Sequence, residues 1–495
     1  MPHGKTYDLI IKNVRAVRPT ATSVTRTDIA VSNGKIVDMR PGLDAGLANE
    51  VVDGSGRLAF PGLVDAHMHT GIYSPLAEDA LTESRAAAQG GVTSSLNYFR
   101  SGQYYLNKGG PYAEFFPEVL GLSEGRFHVD YAYHLAPMDR RQIDEIPMLV
   151  EKYGVTSFKI YMFYGGYGLH GASADQRDFL MIGEDEKYDI AHFEFVMRGV
   201  RDAMQRFPEK RDAISLSLHC ETAEIMNAYT RIVQKDRSLK GLRAYSAARP
   251  PHSEGLAICI ASYLAHETDC VNINLLHLSS RKAVEAAVKM SQAFPQINFR
   301  REVTIAHLCI DYDVHTGVHA KVNPPIRSRE DVEYLWQAVF DGHIDWICSD
   351  HACCQMEMKH GTHHGHDHGV DEIFMAKSGF GGTEYLLSAL LTEGTKRGLS
   401  LNRMAQLVCL NPAQRFGLKG KGDLAPGFDA DIVLVDENEA FTVRAADSLS
   451  SQGYTPFEGL ELKGKVKSTY LRGQLIFQDD KVVGEPRGQF LKRPC

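Results

Sequence analysis

The 495-residue sequence predicts a parallel α/β fold, an eight-stranded (β/α)8 TIM-like barrel, joined to a small β-sandwich domain made from both chain ends. Three observations lead there. Both termini read as short β-strands, the middle alternates apolar runs with helix-like stretches, and residues able to bind metal recur where those runs end.

Residues 1–60 hold YDLIIKNVRAV, then DIAVSNGKIVDM with Asn33-Gly34 at a two-residue hairpin turn, then EVVDGSGRLAF. Residues 416–495 echo them with ADIVLVD and VKSTYLRGQLIFQDDKVV, in which Arg472-Gly473 occupies the turn. Two all-β ends around a different middle predict one discontinuous domain, 1–60 plus 416–495, with the barrel over 61–415 inserted between them. In that middle, SRKAVEAAVKM and EDVEYLWQAVF have helical spacing, and roughly 350 residues suit a barrel with insertions better than a short doubly wound sheet.

Composition narrows the function. A hydrophobic share of 43% and a charged share of 23% belong to a globular protein, and a net charge of -8 leaves no basic footprint for nucleic acid. The nine cysteines are odd in number and contain no C-x-x-C pair, which fits small buried residues in a reducing compartment. The start, MPHGKTYDLIIKN, lacks a signal-peptide pattern, and no apolar run reaches the ~18 residues of a spanning helix. A cytoplasmic location without membrane attachment is the expectation.

Five apolar runs of the middle region end in a residue that can bind or bridge a metal: AFPGLVDAHMH, VTSFKIYM, ISLSLHCE, NINLLHLSS and IDWICSDH. The carboxyl ends of barrel strands meet at one mouth, so His67, His69, Lys159, His219, His277 and Asp350 would converge there. Singly, each has a plain structural explanation. His-x-His is a common chance pattern, although the i, i+2 spacing does put both imidazoles on one face of a strand. His219 and His277 read as core or loop histidines, Lys159 as a solvated lysine, and Asp350 as a helix cap beside Ser349. Those explanations would all have to hold at once.

Taken in order, Pro61-Gly62-Leu63-Val64-Asp65-Ala66-His67-Met68-His69, Ser157-Phe158-Lys159, His219-Cys220-Glu221, His277-Leu278-Ser279-Ser280 and Ser349-Asp350-His351 resemble the amidohydrolase superfamily. They look most like its dihydropyrimidinase and hydantoinase branch, and DGSGRLAFPG, GDLAPGFDADIVLVD and GEPRGQFLKRP extend the resemblance over nearly the whole chain. The resemblance implies a hydrolase of C–N bonds with two divalent metal ions, usually Zn2+. It would open a cyclic amide ring, such as a hydantoin, dihydropyrimidine or related cyclic imide, by attack of a metal-bridging hydroxide. His67, His69 and Asp350 would hold one ion, His219 and His277 the other, and a carbamylated Lys159 would bridge them. A lysine amine that captures carbon dioxide becomes an anion with two oxygens, whereas an ammonium cannot ligate a cation. Asp350 would carry the proton from water to the leaving nitrogen, and Tyr164 would steady the oxyanion. Substrate would be held by Tyr164 and by backbone groups beside Asn323 and Ser378, where the branch more commonly has serine or threonine and then asparagine. A homotetramer is also implied.

Gly71 stands where a dihydroorotase-like chain would carry an arginine, which argues against an acidic substrate. An allantoinase-like ureide hydrolase would have the same metal site. A non-catalytic scaffold of the same fold is the contrasting class, and such scaffolds lose ligands that are all present here.

One stretch is not absorbed by this reading. KHGTHHGHDHG, Lys359 to Gly369, holds five of the 21 histidines in eleven residues. Glycine-spaced imidazoles lack the rigidity of a catalytic site, so the tract reads as a solvated insertion or lid ahead of a trap, store or delivery point for metal. The bulky, glycine-hinged loop Met162 to Tyr167 reads as a lid over an apolar ring substituent or as a simple surface loop.

Overall fold

A computed structural model describes residues 6–165, 176–360 and 372–495. Strands β1 (Tyr7–Ala16), β2 (Thr25–Ser32), β3 (Lys35–Arg40), β4 (Ala48–Asp53) and β5 (Leu58–Pro61) open the chain. The middle contributes β6 (Leu63–Met68), β7 (Val92–Arg100), β8 (Asp130–Ala136), β9 (Ser157–Tyr161), β10 (Ser215–His219), β11 (Asn272–Leu275), β12 (Asn298–Thr304) and β13 (Trp346–Cys348). Strands β14 (Ile432–Thr442), β15 (Glu461–Leu471), β16 (Gln474–Gln478) and β17 (Lys481–Val482) follow.

Both ends of the chain share one nine-stranded sheet, in the order β17-β16-β15-β14-β5-β1-β2-β3 with β4 beside β1. The halves join where Phe60 of β5 lies opposite Val433 of β14 in antiparallel register. Asn33 and Gly34 take φ of 51° and 74° between β2 and β3, and Arg472 and Gly473 take 49° and 74° between β15 and β16. Positive φ at both positions is what a tight hairpin loop needs to match the strand twist.

The middle strands form an eight-stranded parallel sheet in the order β13-β12-β11-β10-β9-β8-β7-β6. Just past β13, His351 forms a parallel bridge with Met68 of β6, and its carbonyl accepts from the His69 N–H at 2.7 Å. The sheet thereby curls back on its first strand as a nearly closed barrel. Two of the helices outside it show capping by serine. Ser280 caps Arg281–Ala293 by accepting from the Ala283 N–H, and Ser328 caps Arg329–Phe340 by accepting from the Asp331 N–H. Val332, Leu335, Trp336 and Val339 are the buried stripe of the second.

Strand alternation decides which residues reach the barrel interior. In β10, Leu216 and Leu218 join the apolar core, while Ser215, Ser217 and His219 share the other face. In β9, Phe158 and Ile160 go to the core, and Lys159 lies on the face of Ser157. The opposite face is polar and knitted together: Tyr98 Oη donates to Ser217 Oγ at 3.0 Å, and Asn274 Nδ2 donates to the same oxygen at 3.1 Å. The C-terminal tail lies along the barrel strands, where Arg493 Nη1 donates to Ser157 Oγ at 2.8 Å. All nine cysteines are unpaired, and only Cys495 is exposed. Among the described residues no helix is long and apolar enough to cross a membrane.

Gly62 is the single residue between β5 of the terminal sheet and β6 of the barrel. A Cβ there would lie 2.1 Å from Thr93 Oγ1 and 2.8 Å from Asp431 Cβ, whereas one at Gly121 would meet nothing within 4 Å. Gly62→Ala should therefore destabilise the fold by about 1–3 kcal/mol, as overpacking does. Gly121→Ala, in the helix Tyr112–Ser123, should be neutral or stabilising by up to ~1 kcal/mol. Thermal or denaturant unfolding of the two variants checks the contrast, and equal stability would refute it.

Candidate active site

The strand-end residues meet in one buried cluster. His67 Nε2 lies 3.3 Å from His69 Nε2, 3.2 Å from Lys159 Nζ and 3.1 Å from Asp350 Oδ1. Asp350 Oδ1 is also 3.4 Å from His69 Nε2. The His277 ring is centred 5.3 Å from that of His67, and the His219 ring 4.3 Å from that of His277. Ligand atoms of His67, His277 and Asp350 all lie within 4.8 Å of one another. Two of these residues leave ordinary backbone space, with φ of 34° at His277 and 55° at Asp350. Left-handed backbone at a non-glycine residue persists only where surrounding structure enforces it, and it concentrates at functional sites.

Burial sets the protonation of the cluster. It pushes the imidazoles of His67, His69 and His277 well below the usual histidine range, and His219 down to about 4. Neutral rings are the ligand form. Burial also pushes the Lys159 ammonium down, only partly offset by Asp350 and Glu302. Among the described residues no carboxylate lies within ion-pair distance of its Nζ, which instead sits 3.9 Å from the centre of the Tyr98 ring and 4.4 Å from that of Tyr161. The same desolvation raises the Asp350 carboxyl, against the pull of His67 and Lys159.

Most of the surrounding layer of orienting groups carries no sequence signal. Glu302 Oε1 lies 2.7 Å from His67 Nδ1 and accepts from the His277 N–H at 3.1 Å, while its Oε2 accepts from Trp346 Nε1 at 2.8 Å. It stands in the charged stretch NFRREVT of β12, where nothing separates an inward glutamate from a surface one. Tyr105 Oη lies 2.9 Å from His69 Nδ1, and Glu221 Oε2 lies 2.7 Å from His219 Nε2 while Arg249 Nε donates to Glu221 Oε1 at 2.9 Å. Glu221 was visible in the His219-Cys220-Glu221 motif. Its partner Arg249 was not.

Tyr164 is buried and stacks on Tyr161 with ring centres 4.6 Å apart. Arg100 Nε donates to its hydroxyl oxygen at 3.2 Å, and the guanidinium lies between the Tyr164 ring at 5.1 Å and the Phe179 ring at 4.8 Å. Tyr164, Asn323 and Ser378 line the same cleft as Lys159, His219, His277 and Asp350. Asn323 and Ser378 are linked, since Ser378 Oγ donates to Asn323 Oδ1 at 3.3 Å and Tyr245 Oη donates to the same oxygen. The Ser378 carbonyl already accepts from Tyr73 Oη at 2.7 Å, which leaves it one lone pair. Of the His-rich tract, Lys359 and His360 fall within the described residues and 361–369 outside them. Lys359 is not solvated: it is fully buried, and its Nζ donates to the carbonyls of Gly379 at 2.7 Å and Lys321 at 3.2 Å. In the loop Met162 to Tyr167, Gly166 and Tyr167 lie outside the described residues.

Residues 254–476 match the Amidohydrolase family. The chain is 30% identical over 495 residues to an allantoinase of Rubrobacter xylanophilus, with 98% of each chain covered. It superimposes on an L-hydantoinase (dihydropyrimidinase) from Arthrobacter aurescens with a TM-score of 0.82 at 26% identity, covering 98% of this chain and 99% of the other. A D-hydantoinase structure gives a TM-score of 0.83 at 25% identity with the same coverage. Full-length likeness of this order, on a barrel whose strand ends carry the cluster described above, means that the chain belongs to the amidohydrolase family, in its dihydropyrimidinase and hydantoinase branch.

Proposed function

We propose that this protein is a metal-dependent hydrolase that opens the ring of a cyclic amide by breaking a C–N bond. The observation that carries the reading is a desolvated lysine, Lys159, with no carboxylate within ion-pair distance among the described residues, whose Nζ lies 3.2 Å from His67 Nε2, which in turn lies 3.1 Å from Asp350 Oδ1.

The donor set suits two divalent cations, which we take to be zinc. Imidazole nitrogens and a carboxylate oxygen are borderline and hard donors that zinc accepts. His277 Nδ1 is buried without a hydrogen-bond partner among the described residues, a state that a metal bond would relieve. In this assignment His67, His69 and Asp350 would hold one ion and His219 and His277 the other. Lys159, whose ammonium burial disfavours, would be the residue to take up carbon dioxide, its amine losing a proton as the N–C bond forms, and would then offer carboxylate oxygens to the ions. When bound, such ions polarise the ring carbonyl and acidify water.

The remaining chemistry falls to side chains. Asp350 accepts a proton from the attacking water as its oxygen adds to the ring carbonyl carbon, and returns it to the ring nitrogen as the C–N bond breaks. Arg100 donates to the Tyr164 oxygen, so the hydroxyl hydrogen of Tyr164 is free to donate to the developing oxyanion. Glu302 fixes the ring of His67, as carboxylates behind metal-binding histidines do. Tyr73, Tyr105, Tyr161 and Phe163 line the cleft and give it an aromatic wall.

That aromatic lining favours hydantoins and dihydropyrimidines with apolar substituents. A second reading, hydrolysis of allantoin, is favoured by the allantoinase name of the Rubrobacter xylanophilus relative. Ring-opening rates on hydantoin, a 5-aryl hydantoin, dihydrouracil and allantoin separate the two. We expect the 5-aryl hydantoin to lead, with all activity lost on chelation and restored by Zn2+; turnover of none of the four would count against cyclic amide hydrolysis.

Lys159→Ala should lower kcat/KM by at least about 100-fold with partial rescue by short carboxylic acids, and Tyr164→Phe should lower kcat by roughly 100- to 1,000-fold with little change in KM. Wild-type rates in either variant would remove that residue from the mechanism. We further propose a homotetramer, supported by exposed Tyr229 and Ile232 on one helix (Ala223–Val233) and Leu256 and Tyr263 on another (Pro251–Glu267). Light scattering should give four times the 55.0 kDa chain mass, falling for Ile232→Glu with Tyr263→Glu. A wild-type mass of one chain would refute the assembly.

A further inference from the structure

The structure holds a second pair of histidines with the geometry of the first. His319, in the short turn Gly317–Ala320, and His360, the first histidine of the His-rich tract, place their Nε2 atoms 3.3 Å apart. That is also the Nε2 to Nε2 separation of His67 and His69. Two nitrogens bound tetrahedrally to zinc at about 2.0–2.1 Å are separated by about 3.3–3.4 Å. Neither His319 nor His360 lines the cleft that holds Lys159, His277 and Asp350.

Both rings are held from behind. The other nitrogen of His360, Nδ1, lies 2.7 Å from Glu372 Oε1, and His319 stacks on Tyr454 with ring centres 4.5 Å apart at 26°. A carboxylate on the far nitrogen of a histidine fixes its tautomer, turns its other nitrogen outward as a free lone pair and raises its basicity, the arrangement found behind metal-binding histidines. The backbone on both sides is anchored as well, because Lys359 beside His360 donates through Nζ to the carbonyl of Lys321, two residues after His319. The pair is half-buried, so solvent reaches it and water can fill further coordination positions.

We infer that His319 and His360 form a second divalent-metal site of the zinc and copper class, separate from the catalytic cluster, with Glu372 orienting His360. A metal there clips the segment that follows Asp350 to the segment that leads into Asn323. It gives the His-rich tract a defined chemical role at its first histidine, independent of the reaction proposed for the cleft.

Zinc titration of the chelator-treated full-length protein, followed by calorimetry and by metal content after desalting, tests the site. His319→Ala should bind one equivalent fewer than the wild type, and Glu372→Gln should keep that equivalent at roughly 10- to 100-fold lower affinity. Ring-opening activity is not the readout, so failure here leaves the proposed function untouched. Equal stoichiometry and affinity in His319→Ala and wild type would overturn the site, leaving the two rings joined by an N–H···N hydrogen bond alone and assigning any surplus zinc to other histidines.

Discussion

The closure of the barrel is the constraint on which the site depends. The segment after β13 returns to β6 through the Met68 to His351 bridge and the His69 N–H on the His351 carbonyl. Asp65, buried in the middle of β6, ties the same seam by accepting from the Ser349 N–H at 3.1 Å and from Thr383 Oγ1 at 2.8 Å. Because the seam runs between the first and the last strand, residues nearly three hundred positions apart become neighbours, and Asp350 is delivered to His67 and His69. The positive φ of Asp350 belongs to the same turn. The barrel supplies the enforcement that such a conformation requires.

Once closed, the barrel imposes a single electrostatic regime. Low polarisability disfavours every isolated charge, so the histidines and Lys159 are driven toward neutrality, while Glu221 keeps its charge through Arg249 and lies lower, at about 2. A site that receives cations needs this character: neutral nitrogen donors and few fixed ammonium groups. The orienting layer of Glu302, Tyr105 and Glu221 turns a loose group of imidazoles into a fixed one.

Much of this was legible in the chain. Turn pairs at Asn33-Gly34 and Arg472-Gly473 depend on local backbone geometry alone, and both are hairpins with positive φ. The strand-end histidines were readable because period-2 alternation puts His219 in phase with Ser215 and Ser217, and Lys159 in phase with Ser157. Glu302, Arg249 and Arg100 were not, since a charged residue in a polar stretch looks the same whether it faces solvent or an imidazole. Lys359 shows the opposite error: at the head of a hydrophilic tract it reads as solvated, yet two backbone carbonyls hold it in the interior.

The sequence by itself determined the strand phases, the hairpin turns, the membership of both ends in β structure and the identity of the strand-end residues, because each follows from spacing along one short segment. Only the tertiary structure decided which carboxylate stands behind which histidine, that Lys159 has no acidic partner among the described residues, and that His360 reaches His319. Those facts depend on contacts between segments far apart in the chain, and on the desolvation that only a closed barrel creates.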